Sequence, residues 1–394
     1  MQYQIYALQH PIYIKGISTV SALGSHPDDI WTNYLSQRSF LKSKKIDGIP
    51  TFVGELSNID KERVEQLKQS DKLYAELDNS VLYAMLCGRD LILKAPLITT
   101  DFGINVGSSR GATTLFENYH EQYIKSGQTS TLSSPTTTLG NISSWLAQDL
   151  QSKGPRFSHS ITCSTAFHAI LNGVAWLQAQ MAEEFIVGGS EAPLTPFTIA
   201  QMRAMKIYAE VGQVKNPNYP NQALNLSKTR NSMILGEGSG LITLSKIQSE
   251  QNVGEIIGIG FGTEALKHSA SISKDAACMQ ASMRMAIKQI NPKDIDVVVC
   301  HAPGTVKGDQ AEINAIKDVF GEHMPAVTSN KWQLGHTFGA SGILSLEMAL
   351  LMLKHQKFIG VPFVENQIQP KRIKNILVNA VGFGGNSVSI LVSL

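Results

Sequence analysis

The chain has 394 residues, 43% hydrophobic and 17% charged, enough for two domains or one large duplicated unit around a substantial core. A formal net charge of +2 gives no electrostatic ground for nucleic acid or an anionic membrane as partner, and leaves room for a local basic patch. The four cysteines (Cys87, Cys163, Cys278 and Cys300) show neither a CxxC pair nor metal-type spacing, so they read as reduced thiols and the expected compartment is the cytoplasm.

In chain order, residues 1–11 are polar and aromatic, without the cationic start or apolar core of a signal peptide. Residues 12–24 predict a strand running into a Gly-terminated loop, 27–38 a helix, and 78–93 a longer apolar helix. A short buried strand follows over 102–106, then a Gly/Ser loop over 107–111; the Ser/Thr-rich stretch 130–138 predicts a surface or interface loop. A strand over 157–162 leads into Cys163 and an apolar helix over 166–181, with further strands over 185–189 and 241–244. The pattern then restarts with a strand over 254–261, a helix over 276–290 and an apolar run over 296–300 ending at His301. A strand over 326–328, a Gly-rich turn, a helix over 339–353 and strands over 376–379 and 388–392 close the chain. Ser341, Ser345 and Glu347 interrupt the 339–353 helix, which is too short to cross a bilayer, so no membrane insertion is expected. Strands alternating with helices imply α/β layers in two units, 1–245 and 246–394, though the two show no sequence repeat.

Four segments carry residues suited to chemistry. Cys163 stands between a strand and the first turn of a helix, where free N–H groups and the macrodipole favour a thiolate and can bind an oxyanion. His301 ends a strand before a Pro/Gly turn, with Asp309 placed to favour the next helix's N-terminus and Glu312 one turn further on. Lys331 and His336 flank a turn that leads into a run of small residues. Three glycines around Phe383 make a flexible loop with one bulky side chain. No Walker or dinucleotide spacing, no GxSxG elbow and no close His spacing for a metal is present.

Together and in this order these segments resemble the β-ketoacyl-[acyl carrier protein] synthases of the thiolase-like superfamily, above all the type II elongating ketosynthases, over essentially the whole chain. The matching residues are Thr162-Cys163-Ser164; Gly188, Gly189 and Glu191; His301, Thr305, Gly308, Asp309 and Glu312; Lys331, Gly335, His336, Gly339, Ala340 and Gly342; and Gly382–Gly385. The resemblance implies a five-layered αβαβα fold of two similar halves and a homodimer, or a heterodimer with a ketosynthase-like subunit. It also implies no cofactor beyond substrates carried on the 4'-phosphopantetheine of an acyl carrier protein. Cys163 would be the nucleophile and His301 and His336 the enolate donors, with Lys331 and Glu312 fixing the orientation and hydrogen bonding of the imidazoles. Asp309 and Thr305 would support the site, Thr305 toward the pantetheine arm. The N–H groups of Cys163 and Phe383 would form an oxyanion hole, and Phe383 would gate the second substrate.

Where the family has Gly-Thr after the first His, this chain has Ala302-Pro303; Arg110 and Met202 fall where the acyl tunnel is expected to be apolar and aromatic. These departures point to a specialised acyl chain, such as the aryl-capped polyenes of aryl polyene and flexirubin-type pathways. A non-catalytic chain-length-factor-like subunit is the alternative. A thiolase would need a second catalytic Cys toward the C-terminus, and none follows Cys300.

Overall fold

The computed structural model describes residues 8–265 and 272–394. In chain order its strands are β1 (Ile12–Val20), β2 (Lys42–Ile46), β3 (Ile49–Val53), β4 (Gly103–Gly107), β5 (Arg156–Phe157) and β6 (Glu184–Glu191). They continue with β7 (Gly238–Ser245), β8 (Gly254–Thr263), β9 (Val297–Val299), β10 (Ala326–Thr328), β11 (Ile376–Gly382) and β12 (Asn386–Ser393). Ten of them form one sheet in the order β10-β9-β11-β12-β8-β1-β7-β6-β4-β5, and β2 and β3 form a separate hairpin.

The two units that share no sequence repeat share a topology. From β1 outward the pairings run antiparallel to β7, antiparallel to β6, parallel to β4 and parallel to β5. From β8 outward they run antiparallel to β12, antiparallel to β11, parallel to β9 and parallel to β10. The two sets meet where Ile12–Ile14 of β1 pair antiparallel with Gly254–Ile256 of β8.

Helices Thr165–Gln178 and Ser341–His355 hold corresponding places, one between β5 and β6, the other between β10 and β11. Both are apolar around most of their circumference, as helices covered on all sides must be. Their side chains share one core with inward residues from both parts of the sheet, such as Phe185 and Leu244 on one side and Val299 and Ile390 on the other. Gly342 makes the close approach possible, since a Cβ there would lie 2.7 Å from the Phe167 ring. Helices Asn79–Lys94 and Asn141–Asp149 cover the outer face of one part, Ala277–Ala286 and Val306–Phe320 that of the other. The result is the α/β layering of five tiers.

The central helices also bury charge. Glu347 accepts a hydrogen bond from Thr19 Oγ1, and burial pushes its carboxyl from the ordinary 4.5 up to about 7. A carboxyl raised in this way favours the folded state below pH 4.5, and the advantage is lost as pH rises through 7. Glu347→Gln is therefore expected to raise Tm by roughly 2–4 °C at pH 8 and to leave it nearly unchanged at pH 5, as scanning calorimetry at the two pH values would read.

The structure departs from the sequence expectation in places. The strand expected over 157–162 contracts to Arg156–Phe157. Ser158 donates to Ser143 Oγ at 2.8 Å, the His159 ring bonds Asn105 Oδ1 and Thr165 O, and Thr162 turns to φ 47°, which no strand allows. The stretch 130–138 contains a helical turn, Ser133–Thr137. The hairpin β2–β3 and the helices Asn58–Ser70, Thr113–Ser126 and Pro196–Ala204 had not been anticipated. Among the described residues no helix is long and apolar enough to cross a membrane.

Candidate active site

Cys163 stands on a tight elbow after β5. Thr162, in the left-handed region, reverses the chain just before it, and Thr165 Oγ1 donates to Thr162 O at 2.6 Å to close the turn. The β11–β12 turn lies on top: Thr162 Oγ1 donates to Phe383 O at 3.2 Å, and a Cβ on Gly382 would come within 3.0 Å of Cys163 N. The Gly/Phe loop is thus a hairpin turn packed against the elbow.

His336 reaches the same point from the corresponding loop of the other half. Its N–H donates to Ile234 O at 2.7 Å and its carbonyl accepts from Gly236 N at 3.1 Å, so the backbone is pinned from both sides. Its Nε2 then lies 3.1 Å from Cys163 Sγ. His301, at the end of β9, is fixed through its backbone: the N–H groups of His301 and Ala302 donate to the two oxygens of Glu312 at 2.9 and 2.8 Å. The two imidazoles meet edge to face with centroids 5.1 Å apart, and the sulfur and a nitrogen from each ring all lie within 4.8 Å of one another. The sequence spacing assigned no metal, yet the fold gathers three soft donors; the same cluster suits proton and oxyanion chemistry.

Burial decides the charge states. Desolvation, reinforced by Glu191, pushes the Cys163 thiol up to about 12, against the opposing pull of Lys331 and Arg110. The helix N-terminus that favours a thiolate is therefore outweighed. Burial, then the Lys331 charge, takes His336 down to about 3, and burial with His336 and Lys331 holds His301 well below its usual value. At neutral pH the cluster is a thiol and two neutral imidazoles. Burial also lowers Lys331 to about 8 and raises Glu312 to about 7. Lys331 Nζ donates to Asn330 Oδ1 and Ser345 Oγ rather than to either imidazole, so its influence on the rings is one of charge.

The other residues singled out in the sequence fall nearby. Thr305, not Asp309, caps the helix Val306–Phe320, accepting from Gly308 N with its hydroxyl. Asp309 is buried and ties two loops together, accepting from Leu224 N, Lys228 Nζ, Gly304 N and Thr305 N. Met202 packs in one apolar cluster with Cys163 and Phe338. The Arg110 guanidinium bonds Gln201 Oε1 and stacks 5.8 Å above the Phe338 ring. Lys228, Phe338 and Ser341 had no role in the sequence reading; only the Gly188-Gly189-Ser190-Glu191 pattern had marked the neighbouring acid, without a role.

A cavity of about 1680 Å³ opens onto the cluster, lined at its foot by Cys163, His301, His336 and Phe383, and further out by Pro303 and Thr305. Arg110 and Met202 do not line it. Exposed Lys206, Lys215, Arg230, Lys274 and Lys307 contribute to its walls, and Glu210 is the single exposed acid among them.

Comparison with known proteins shows which family the chain belongs to. Residues 9–250 match the beta-ketoacyl synthase N-terminal domain, and 253–362 the C-terminal domain. A 3-oxoacyl-[acyl-carrier-protein] synthase 2 of Staphylococcus aureus is 27% identical over 96% of this chain and 97% of its own length. Among solved structures, the type II ketosynthase of the AntDE:AntF complex superposes with TM-score 0.83 at 19% identity, covering 98% of this chain and 99% of that one. The ketosynthase ApeO with its chain length factor ApeC from Xenorhabdus doucetiae gives 0.77 at 22%, covering 98% of each. With both domain signatures in order over most of its length, the chain belongs to the β-ketoacyl synthase family.

Proposed function

We propose that the chain catalyses decarboxylative Claisen condensation. The acyl carbonyl of a carrier-protein thioester is attacked by Cys163 Sγ, and the pantetheine thiol leaves with the cysteine's proton. Malonyl-carrier protein then enters, its C–CO₂ bond breaks, and the electron pair resides on the thioester as an enolate. The enolate carbon attacks the acyl-Cys carbonyl, the sulfur leaves, and a 3-oxoacyl-carrier protein departs. The observation that carries this reading is the cluster itself: one thiol and two neutral imidazoles within 4.8 Å at the foot of a deep cavity. Neutral rings can turn N–H donors toward a developing enolate oxygen, and the N–H groups of Cys163 and Phe383 would bind the second oxyanion. Phe383, on the glycine-rich turn over the elbow, would gate entry.

An acyl carrier protein fits the cation-lined mouth by charge. A second copy would suit the end of the sheet, where β5 pairs with β4 alone among the described residues; Phe116 and Ile124 on the helix after β4 and Phe197 on the helix after β6 are exposed at 61%, 69% and 59%. The alternative, a chain-length-factor-like partner in a heterodimer, finds support in structural neighbours solved with chain length factors but not in the intact Cys–His–His cluster. Labelled acyl transfer to the wild type and not to Cys163→Ala decides between the two.

The finer substrate reading is a specialised, aryl-capped acyl chain; its support is the set of departures in the sequence, Arg110 among them, whose guanidinium lies over Phe338 next to Cys163 and not on the cavity wall. Aryl-enoyl thioesters are then extended at least as fast as saturated medium-length ones in direct competition; a strong preference for saturated chains would remove this reading.

A further inference from the structure

Glu191, the last residue of β6, is fully buried and has no part in the chemistry above. Its Oε1 accepts the N–H of Ser109 and, at 3.0 Å, the N–H of Gly339, the Ser108 hydroxyl lies against the same carboxyl, and burial raises it from 4.5 to about 7. A Cβ on Gly339 would come within 2.7 Å of Glu191 Oε1, 2.8 Å of Ser109 N and 3.2 Å of Thr165 Cβ. The acid, the loop after β4 and the first turn of the nucleophile's helix therefore close on one stretch of backbone, preceded by Phe338 in the left-handed region at φ 41°.

That stretch grips the nucleophile at both ends. His336 Nε2 contacts Cys163 Sγ, and Ser341 Oγ donates to Cys163 O at 3.4 Å. Glu191 holds the middle. The same carboxylate secures Ser109, whose neighbour Arg110 lies over Phe338. The charged and titratable groups around the sulfur are thus Glu191 from β6, Arg110 from the loop after β4, His301 from β9, and Lys331 and His336 from the segment after β10.

We propose that Glu191 is a positioning residue for the condensation: its carboxylate joins the 108–111 loop to the Phe338–Gly339 turn, and so sets His336 against Cys163 and the charge around the sulfur. The proposal rests on the condensation reading for its rate consequences, but its first test needs only the thiol.

That test is the pH dependence of Cys163 alkylation by iodoacetamide in the full-length protein. Glu191→Gln keeps an oxygen for both N–H groups and removes the negative charge, so the alkylation midpoint moves to lower pH. Arg110→Met removes the opposing positive charge and moves it to higher pH. Glu191→Ala releases the turn and lowers kcat for condensation by about 10²-fold with KM for the acyl carrier substrate little changed; Glu191→Gln recovers most of that loss. Alkylation curves superimposable on the wild type in both Glu191→Gln and Arg110→Met, or equal kcat loss in Gln and Ala variants, would overturn the proposal. A wild type whose thiol alkylates but which condenses no malonyl thioester would instead remove the condensation reading, and the alkylation comparison would still decide the role of Glu191.

Discussion

Cys163→Ala is expected to lower condensation by at least about 10⁴-fold, because Cys163 is the one cysteine among the described residues that line the cavity and the thiol is what would hold the acyl chain between the two half-reactions. Cys163 is 5% exposed and its thiol raised to about 12, so the resting protein is expected to react slowly with small electrophiles at neutral pH. It becomes nucleophilic when a bound thioester supplies the electrophile and the leaving pantetheine sulfur takes up the S–H proton, with the neutral His336 Nε2 3.1 Å from the attacking sulfur. Incubation with a labelled acyl-carrier protein, followed by denaturing electrophoresis, should show label on the wild type and none on the alanine variant. The variant should still release carbon dioxide from malonyl-carrier protein, since the two imidazoles remain. Acyl label on the variant would place the nucleophile elsewhere.

His336→Ala and His301→Ala should each cost about 10²–10³-fold in condensation, the scale of removing one oxyanion donor. Decarboxylation should suffer more than acyl transfer, because charge accumulates on the malonyl thioester oxygen only in the second half-reaction. The burial that lowers both imidazoles keeps them neutral across the working pH range: His336 gains its proton only near pH 3, so these donors do not titrate between pH 6 and 9. Lys331, lowered to about 8, does titrate there, and loses its positive charge as pH rises through that value. Separate measurement of carbon dioxide release and of acyl labelling in the two variants checks the split; equal loss in both steps would refute it.

The candidate groups could be picked out in the sequence because Cys163 opens onto a helix and His301 follows a strand, where an α/β fold presents side chains to a ligand, and the fold brings His336 to the same point. The layers were legible too, since runs such as Val297–Val299 have no reason to be apolar throughout unless both faces are covered. What escaped was what depends on contacts far apart in the chain. The repeated pairing pattern leaves no mark in residue spacing, because many sequences satisfy one sheet topology, and it was expected through the family resemblance alone. The strand over 157–162 looked regular until Ser143, Asn105 and Thr165 took its polar groups. Glu191 matched a pattern, but only the fold brings Ser109 and Gly339 to one oxygen. The charge state of Cys163 was misjudged for the same reason: the helix N-terminus is local, whereas the burial that outweighs it comes from the whole surrounding fold.

Cys163 and His336 occupy the same station in the two repeats, each just ahead of a central helix, and those helices touch through Gly342 and Phe167. The sulfur-to-nitrogen spacing is therefore a gauge of how the repeats are seated on each other. Loosening of either outer helical tier would leave that gauge unmoved, whereas slippage along the middle seam would disconnect the reacting pair before any strand melted. Inactivation by heat should accordingly precede unfolding wherever the seam is the first part to give way.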